Sequence, residues 1–220
     1  MKLICAPVAT VTHAAFRSVV ERFGGCDEYY SEMINAATFV NGGPFEKYYV
    51  IPDPAPEKTV WQITGRKAEH LAEAASMLAE LPGIGIDINM GCSAPDIVKS
   101  GAGAAWLSKD IAETQSMVRS VKDALSEKRL SVKLRLGDEN FTDEGFFSLC
   151  DMLVSEGVTQ LALHPRTSRE KYRAPLRREY VERLARRYES NGISVVLNGG
   201  VHDVRSMHEA LCASPHASGI

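Results

Sequence analysis

Cysteine pairs of the kind that hold metals or disulfides are missing from this sequence. Its five cysteines, Cys5, Cys26, Cys92, Cys150 and Cys212, are odd in number and scattered, and none forms a Cys-x-x-Cys pair. Zinc, iron–sulfur clusters and a disulfide framework are therefore poorly supported, no metal is expected, and a reducing cytoplasm is the expected location. Also missing is any apolar run near the ~20 residues that span a bilayer. The opening Met1-Lys-Leu-Ile-Cys-Ala-Pro7 is too short for a secretory signal and reads as a first strand, so no membrane partner is expected. Net charge is only −3, which argues against indiscriminate polyanion binding. No linker or low-complexity tract interrupts the 220 residues, so residues 1–220 read as one domain.

What is present is a regular alternation. Short β-rich runs occur near 2–6, 28–32, 59–64, 84–89, 131–135, 160–164 and 194–198, with an eighth beginning at Ala217. Amphipathic helical periodicity fills 13–23, 67–81, 111–126, 143–156, 177–190 and 204–212. This pattern predicts an α/β fold, a parallel sheet with helices outside it. The strands read as nearly continuous apolar runs, as expected when both faces are covered. Seven or eight such units predict a (β/α)₈ TIM barrel rather than an open sheet. The segment 36–57, with Asn41-Gly-Gly-Pro44 and Pro52-Asp-Pro-Ala-Pro56, reads as a long functional loop with a hairpin-like excursion.

In a barrel the strand C-terminal ends converge on one mouth, where active sites sit. The residues at those ends are Ala6-Pro7, Glu32-Met33, Gln62 to Gly65, Asn89 to Cys92, Lys133 to Arg135, His164 to Arg166 and Asn198-Gly-Gly200. Lys133 interrupts the apolar pattern Val132-Lys-Leu, and a buried ammonium needs a partner that an anionic ligand would supply. Gly199-Gly200 permits close backbone approach of a phosphate. Cys92, beside Asn89 and Gly91 on a turn, is a candidate nucleophile, base or proton donor; a buried structural thiol is the plain alternative. Between His164 and Glu189 stand nine Lys or Arg against four Glu. Arg177 to Arg187 read mostly as a solvated helix face, whereas Arg166 to Arg173 follow directly on a strand end.

Taken in order, these residues resemble the tRNA dihydrouridine synthase family. The resemblance is carried by Ala6-Pro7 with Thr12 and Phe16-Arg17, Ser31-Glu32-Met33-Ile34, Gln62-Ile-Thr-Gly65, Asp87-Ile-Asn-Met-Gly-Cys92, Lys99-Ser-Gly-Ala-Gly103, Val132-Lys-Leu-Arg-Leu-Gly137, His164-Pro-Arg-Thr167 and Asn198-Gly-Gly200. It implies a TIM barrel with FMN in its mouth. By the resemblance, Gln62, Lys133, His164, Asn198, Gly199 and Gly200 hold the cofactor, with Ala6-Pro7 beneath its ring. Cys92 matches the catalytic acid, Asn89 a residue that orients the target base, and Arg166 a residue facing RNA.

The implied reaction reduces uridine in tRNA to 5,6-dihydrouridine, with NADPH or NADH as electron donor. Hydride reaches C6 from the reduced flavin and a proton reaches C5; an ordinary thiol is mostly protonated at neutral pH and can donate it. The base must leave its stack to be reached, and Arg166, Arg169, Lys171 and Arg173 would then grip the RNA backbone. Two rivals remain open: an FMN-dependent reductase or dehydrogenase of a free pyrimidine (dihydroorotate-type), and a non-catalytic RNA-binding relative.

Five positions depart from the family pattern: Ser93 follows Cys92 where Pro is usual, Asp96 replaces a basic residue, Thr10 stands where Gly is commoner, Ser31 replaces Thr, and Pro165 replaces Gly. Ala217-Ser-Gly-Ile220 resembles the start of the eighth strand, and the family's following phosphate site and helical RNA-binding domain are absent from these residues. The expectation is a longer functional protein, monomeric at full length, because an incomplete eighth strand would leave a barrel edge exposed.

Overall fold

Each strand run places apolar side chains toward an outer layer of helices, and this two-sided packing builds the architecture. The computed structural model describes residues 1–220 except Ser126 and Lys171. The first elements are β1 (Ile4–Cys5), α1 (Ala14–Arg22), β2 (Glu28–Tyr30), β3 (Ile34–Asn35), α2 (Ala36–Val40), α3 (Glu46–Tyr49), β4 (Thr59–Thr64) and α4 (Ala68–Ala79). There follow β5 (Gly85–Met90), α5 (Pro95–Lys99), α6 (Ile111–Asp123), β6 (Arg129–Arg135), α7 (Asp143–Ser155), β7 (Gln160–His164), α8 (Glu179–Tyr188), β8 (Ser194–Leu197) and α9 (Val204–Ala213).

The strands pair in parallel in the order β1-β2-β4-β5-β6-β7-β8, and β3 continues along β4 past the end of β2. The result is a strongly curled, TIM-barrel-like α/β fold. Gly219 bridges to Lys2 on one side and to Val196 on the other. Backbone bonds from Lys2 to Ser218 and from Leu197 to Gly219, 2.9 and 3.0 Å, knit this seam. The expected incomplete eighth strand is thus a three-residue stub, and it covers the edges of both β1 and β8 rather than exposing them. Helix α6 ends at Asp123; the predicted end at Ser126 lies outside the described residues.

The main core is the layer between sheet and helices. Trp61, Ile63, Ile86, Ile88, Leu130, Val132, Leu161, Leu163 and Val195 face outward onto Leu71, Leu78, Met117, Val121, Phe146, Leu153, Val181 and Leu184. The reading of strands as unbroken apolar runs holds for these outward positions only. Many inward positions carry polar groups in layers set by register: Gln62, Asp87, Ser131, Gln160 and Ser194 lie side by side, and Asn89 and Lys133 lie one step up with the small Ala162 beside them.

The segment 36–57 is not a hairpin excursion. It folds into α2 and α3 joined and followed by turns, and α2 is capped by Asn35, whose side chain accepts from Thr38 N. The buried Arg17 of α1 anchors its far end, donating to the carbonyls of Ile51 and Asp53 at 2.5 and 3.1 Å and to Thr12 O at 2.7 Å.

Candidate active site at the strand ends

A cavity of about 560 Å³ opens at the C-terminal ends of the strands. Ala6 and Pro7 after β1, Gln62 of β4, Asn89 and Cys92 at the end of β5, Lys133 of β6, His164 of β7, and Asn198 and Gly199 after β8 all line it. Parallel register explains the convergence, because Asn89 lies beside Lys133 and Arg135 beside His164 on adjacent strands. Gly200 falls just outside, its backbone packed against Leu176 and its carbonyl accepting from Arg178 at 3.4 Å. Met33 and Arg135, members of the strand-end set given no individual role, also line the cavity, as does Tyr172, which lay outside that set. Arg135 shares the face of Lys133 because it stands two residues after it on the same strand.

The loop bearing Cys92 is clamped from three sides. Asn89 Oδ1 accepts from the N–H groups of Gly91 and Cys92 at 3.1 and 2.9 Å. Arg135 Nε donates to Gly91 O at 2.9 Å, and Ala104 N donates to Cys92 O at 2.9 Å. The departure at Ser93–Asp96 has a plain local consequence. Pro95 becomes the first residue of α5 and Asp96 its first-turn acid, which suit a helix start by fixed φ and by the helix dipole. The thiol is half-buried.

Electrostatics are dominated by burial of cations. Lys133 makes no hydrogen bond or ion pair among the described residues; burial pushes its ammonium down to about 8, against the opposing pull of Asp87. Asp87 is fully buried, and burial raises its carboxyl to about 6 although Gln62 and Ser131 donate to it at 2.7 Å each. His164 is driven down to about 3 by burial first and then by Arg135, Lys133 and Arg166. Arg166 Nη1 lies 3.1 Å from His164 Nε2. A guanidinium can only donate, so Nε2 accepts and the ring is neutral with its proton on Nδ1.

Arg166 is therefore bound within the fold, its Nε donating to Ala174 O at 2.5 Å. Arg169 is exposed, away from the cavity, with Glu139 at 3.5 Å. Lys171 lies outside the described residues. The α8 arginines are exposed, as expected of a solvated helix face, and Arg186 pairs with Glu182 one turn before it; two of them also reach α7. Arg183 pairs with Asp143 and Arg187 with Asp151, and both lie over the Phe147 ring.

A likeness to known proteins accompanies this geometry. Residues 4–217 match the dihydrouridine synthase (Dus) family. The chain belongs to that family. A probable tRNA-dihydrouridine synthase of Helicobacter pylori is 30% identical over 210 residues, 95% of this chain and 62% of that protein. A tRNA-dihydrouridine(20a/20b) synthase [NAD(P)+]-like protein of Homo sapiens is 28% identical over 209 residues, 94% of this chain and 62% of that one. This dihydrouridine synthase family chain thus spans about three fifths of the length of such relatives. The fold also matches a putative deoxyribose-phosphate aldolase from Coccidioides immitis, with a TM-score of 0.64 over 100% of this chain and 80% of that one, at 14% identity. That likeness bears on the fold alone. Among the described residues no helix is long and apolar enough to cross a membrane.

Proposed function

We propose that this chain is the FMN-binding catalytic part of an enzyme that reduces uridines in tRNA to 5,6-dihydrouridine. The observation that carries the reading is that the Cys92 thiol and the Lys133 ammonium line one cavity together with the Gln62, Asn89 and Asn198 amides, His164 and an apolar floor at Ala6-Pro7. The donor set fits an acceptor-rich, anionic cofactor. Lys133 makes no direct hydrogen bond or ion pair among the described residues, its main counter-charge being the buried Asp87, and Gln62 and Asn89 each keep one N–H beyond those already bonded.

The fit extends to the glycines. A Cβ on Gly199 would stand 2.9 Å from His164 Cε1, and its φ of +101° is a glycine conformation. Lys133 and Gln62 would hold the acceptor edge of the ring and stabilise its reduced charge, with Ala6-Pro7 as floor. His164, Asn198, Gly199 and the neighbouring Gly200 would cradle the rest. Bound FMN, once reduced by NADPH or NADH, supplies the hydride for uracil C6. Cys92 delivers the proton to C5, and its clamped loop fixes where the thiol stands. Tyr172, 77% exposed on the rim and edge-on to His164 at 5.8 Å, offers a stacking face to an extruded base. Asn89 would orient that base. Arg166 braces His164, and the exposed Arg169 would meet RNA phosphate.

The test is dihydrouridine formation in an unmodified tRNA transcript given FMN and NADPH, mapped by primer extension. Turnover of free uracil or dihydroorotate without tRNA product would instead favour the free-pyrimidine rival.

A further inference from the structure

A chain of buried hydrogen bonds runs up the barrel interior to the Cys92 loop, and its polarity is fixed at both ends. Ser131 Oγ and Gln62 Nε2 both donate to Asp87, each at 2.7 Å. Gln62 Oε1 accepts from Asn89 Nδ2 at 2.9 Å, and Asn89 Oδ1 accepts from the Gly91 and Cys92 amides. At the upper end, backbone N–H groups can only donate, so Asn89 must turn its oxygen to them and its NH₂ to Gln62. At the lower end, a carboxylate can only accept, so Gln62 must turn its NH₂ to Asp87. All three links lie within the barrel, with Asp87 at 0%, Gln62 at 1% and Asn89 at 7% exposure. A reversed amide at any point would leave a buried polar group unpaired.

We infer that Asp87 is a positioning residue: through Gln62 and Asn89 it sets the place of the Cys92 loop and makes the adjoining cavity wall a wall of N–H donors. The remaining N–H of each amide is thereby left for a ligand, so that wall receives carbonyl oxygens or an anionic ring nitrogen and disfavours ligand donors. Asp87 also supplies the nearby negative charge that opposes the loss of the Lys133 proton. The part of this inference that concerns the ligand and the thiol's task rests on the flavin reading above; the part that concerns the loop does not.

The experiment is a compensating cycle in the full chain. Gln62→Glu places two carboxylates face to face in the barrel. Adding Asp87→Asn restores a donor to meet the new acceptor, while the carboxylate introduced at position 62 still accepts from Asn89. Hydrogen exchange of the peptide containing Gly91 and Cys92, and the iodoacetamide rate at Cys92 followed by mass spectrometry, are read without cofactor. Gln62→Glu alone is expected to change both by about tenfold or more, and the double variant to return them toward wild type, a coupling typical of directly contacting groups. If Gln62→Glu does not fold, recovery of a cooperative melt in the double variant is the rescue. Effects that merely add, or a double variant as disordered as the single, overturn the inference. FMN titration of the same proteins separates the two readings. A wild type that ignores FMN sinks the flavin proposal and leaves the positioning role of Asp87 to be decided by the loop measurements. If wild type binds FMN, the double variant, with a carboxylate at position 62, is expected to bind it at least about tenfold more weakly.

Discussion

Gly103 packs so closely on Cys92 that a Cβ on it would lie 2.7 Å from the Cys92 carbonyl oxygen and 3.2 Å from the Cys92 Cβ. Its φ of +58° is the left-handed conformation that favours glycine. Gly103→Ala combines backbone strain with a backbone clash, so a loss of about 2–3 kcal/mol is expected. Urea unfolding measures it, and the alkylation rate at Cys92 should rise with the loosened loop.

Thr10 is the non-glycine residue at positive φ, +64°, among the described residues, and it is β-branched. Its N–H donates to Glu32 at 2.5 Å, so the conformation is held by a bond that glycine would keep. Thr10→Gly relieves strain of roughly 1–2 kcal/mol against a chain-entropy cost of about 0.5–1 kcal/mol. A small rise in melting temperature is the expected result; a fall would contradict the strain.

Acid should destabilise the chain through His164. Its folded value, about 3, lies below the unfolded 6.5, so between those limits the unfolded state binds more protons and stability falls as pH drops. For Glu28, burial acts upward but the bonds from Arg129 and Lys2 outweigh it and hold the carboxyl at about 2. Its contribution is lost from about 4.5 downward. Asp87, raised from 3.8 to about 6, works the other way below pH 6 but over a shorter span than His164. Melting temperatures should therefore still fall from pH 7 to 5.5 to 4.5, and His164→Asn should flatten or reverse the upper part of that slope.

Cys92→Ala should leave FMN affinity and flavin reduction by NADPH near wild type while abolishing dihydrouridine formation. Product at the wild-type rate would remove the thiol from the role of proton donor.

Arg183 joins α8 to α7 by its 2.8 Å contact with Asp143 and by stacking 4.7 Å from the Phe147 ring centroid. Arg183→Ala is expected to cost roughly 1 kcal/mol of stability. Its effect on tRNA binding, read by filter retention at fixed salt, should be within error, because that guanidinium is already engaged in the fold.

The outline of the fold was legible because β4 and β7 carry enough β-branched and aliphatic residues to mark their limits, at 59–64 and 160–164. The cavity wall was legible because Lys133, Gln62 and Asn89 are costly inside a barrel without a purpose. Other features depended on tertiary contacts. Helices α2 and α3 were hidden by Gly42-Gly43-Pro44 and the proline-rich run after them, and Arg17 of a distant helix ties down the carbonyls that follow. The contact of Arg166 with His164 was not legible, because sequence shows a charge but not the neighbour it meets. Tyr172 carried no pattern at all; its place on the rim comes from the loop's path.

The seam at Gly219 bears on how the molecule folds. It pairs residues 218–220 with residues 2–4, across nearly the whole sequence, and such distant pairing is slow because loop-closure entropy comes first. The ring can shut only after the intervening β/α units are in place. Closure is then a late event, and the backbone amides of Lys2 and Ile4 should be among the last to gain protection when the chain refolds.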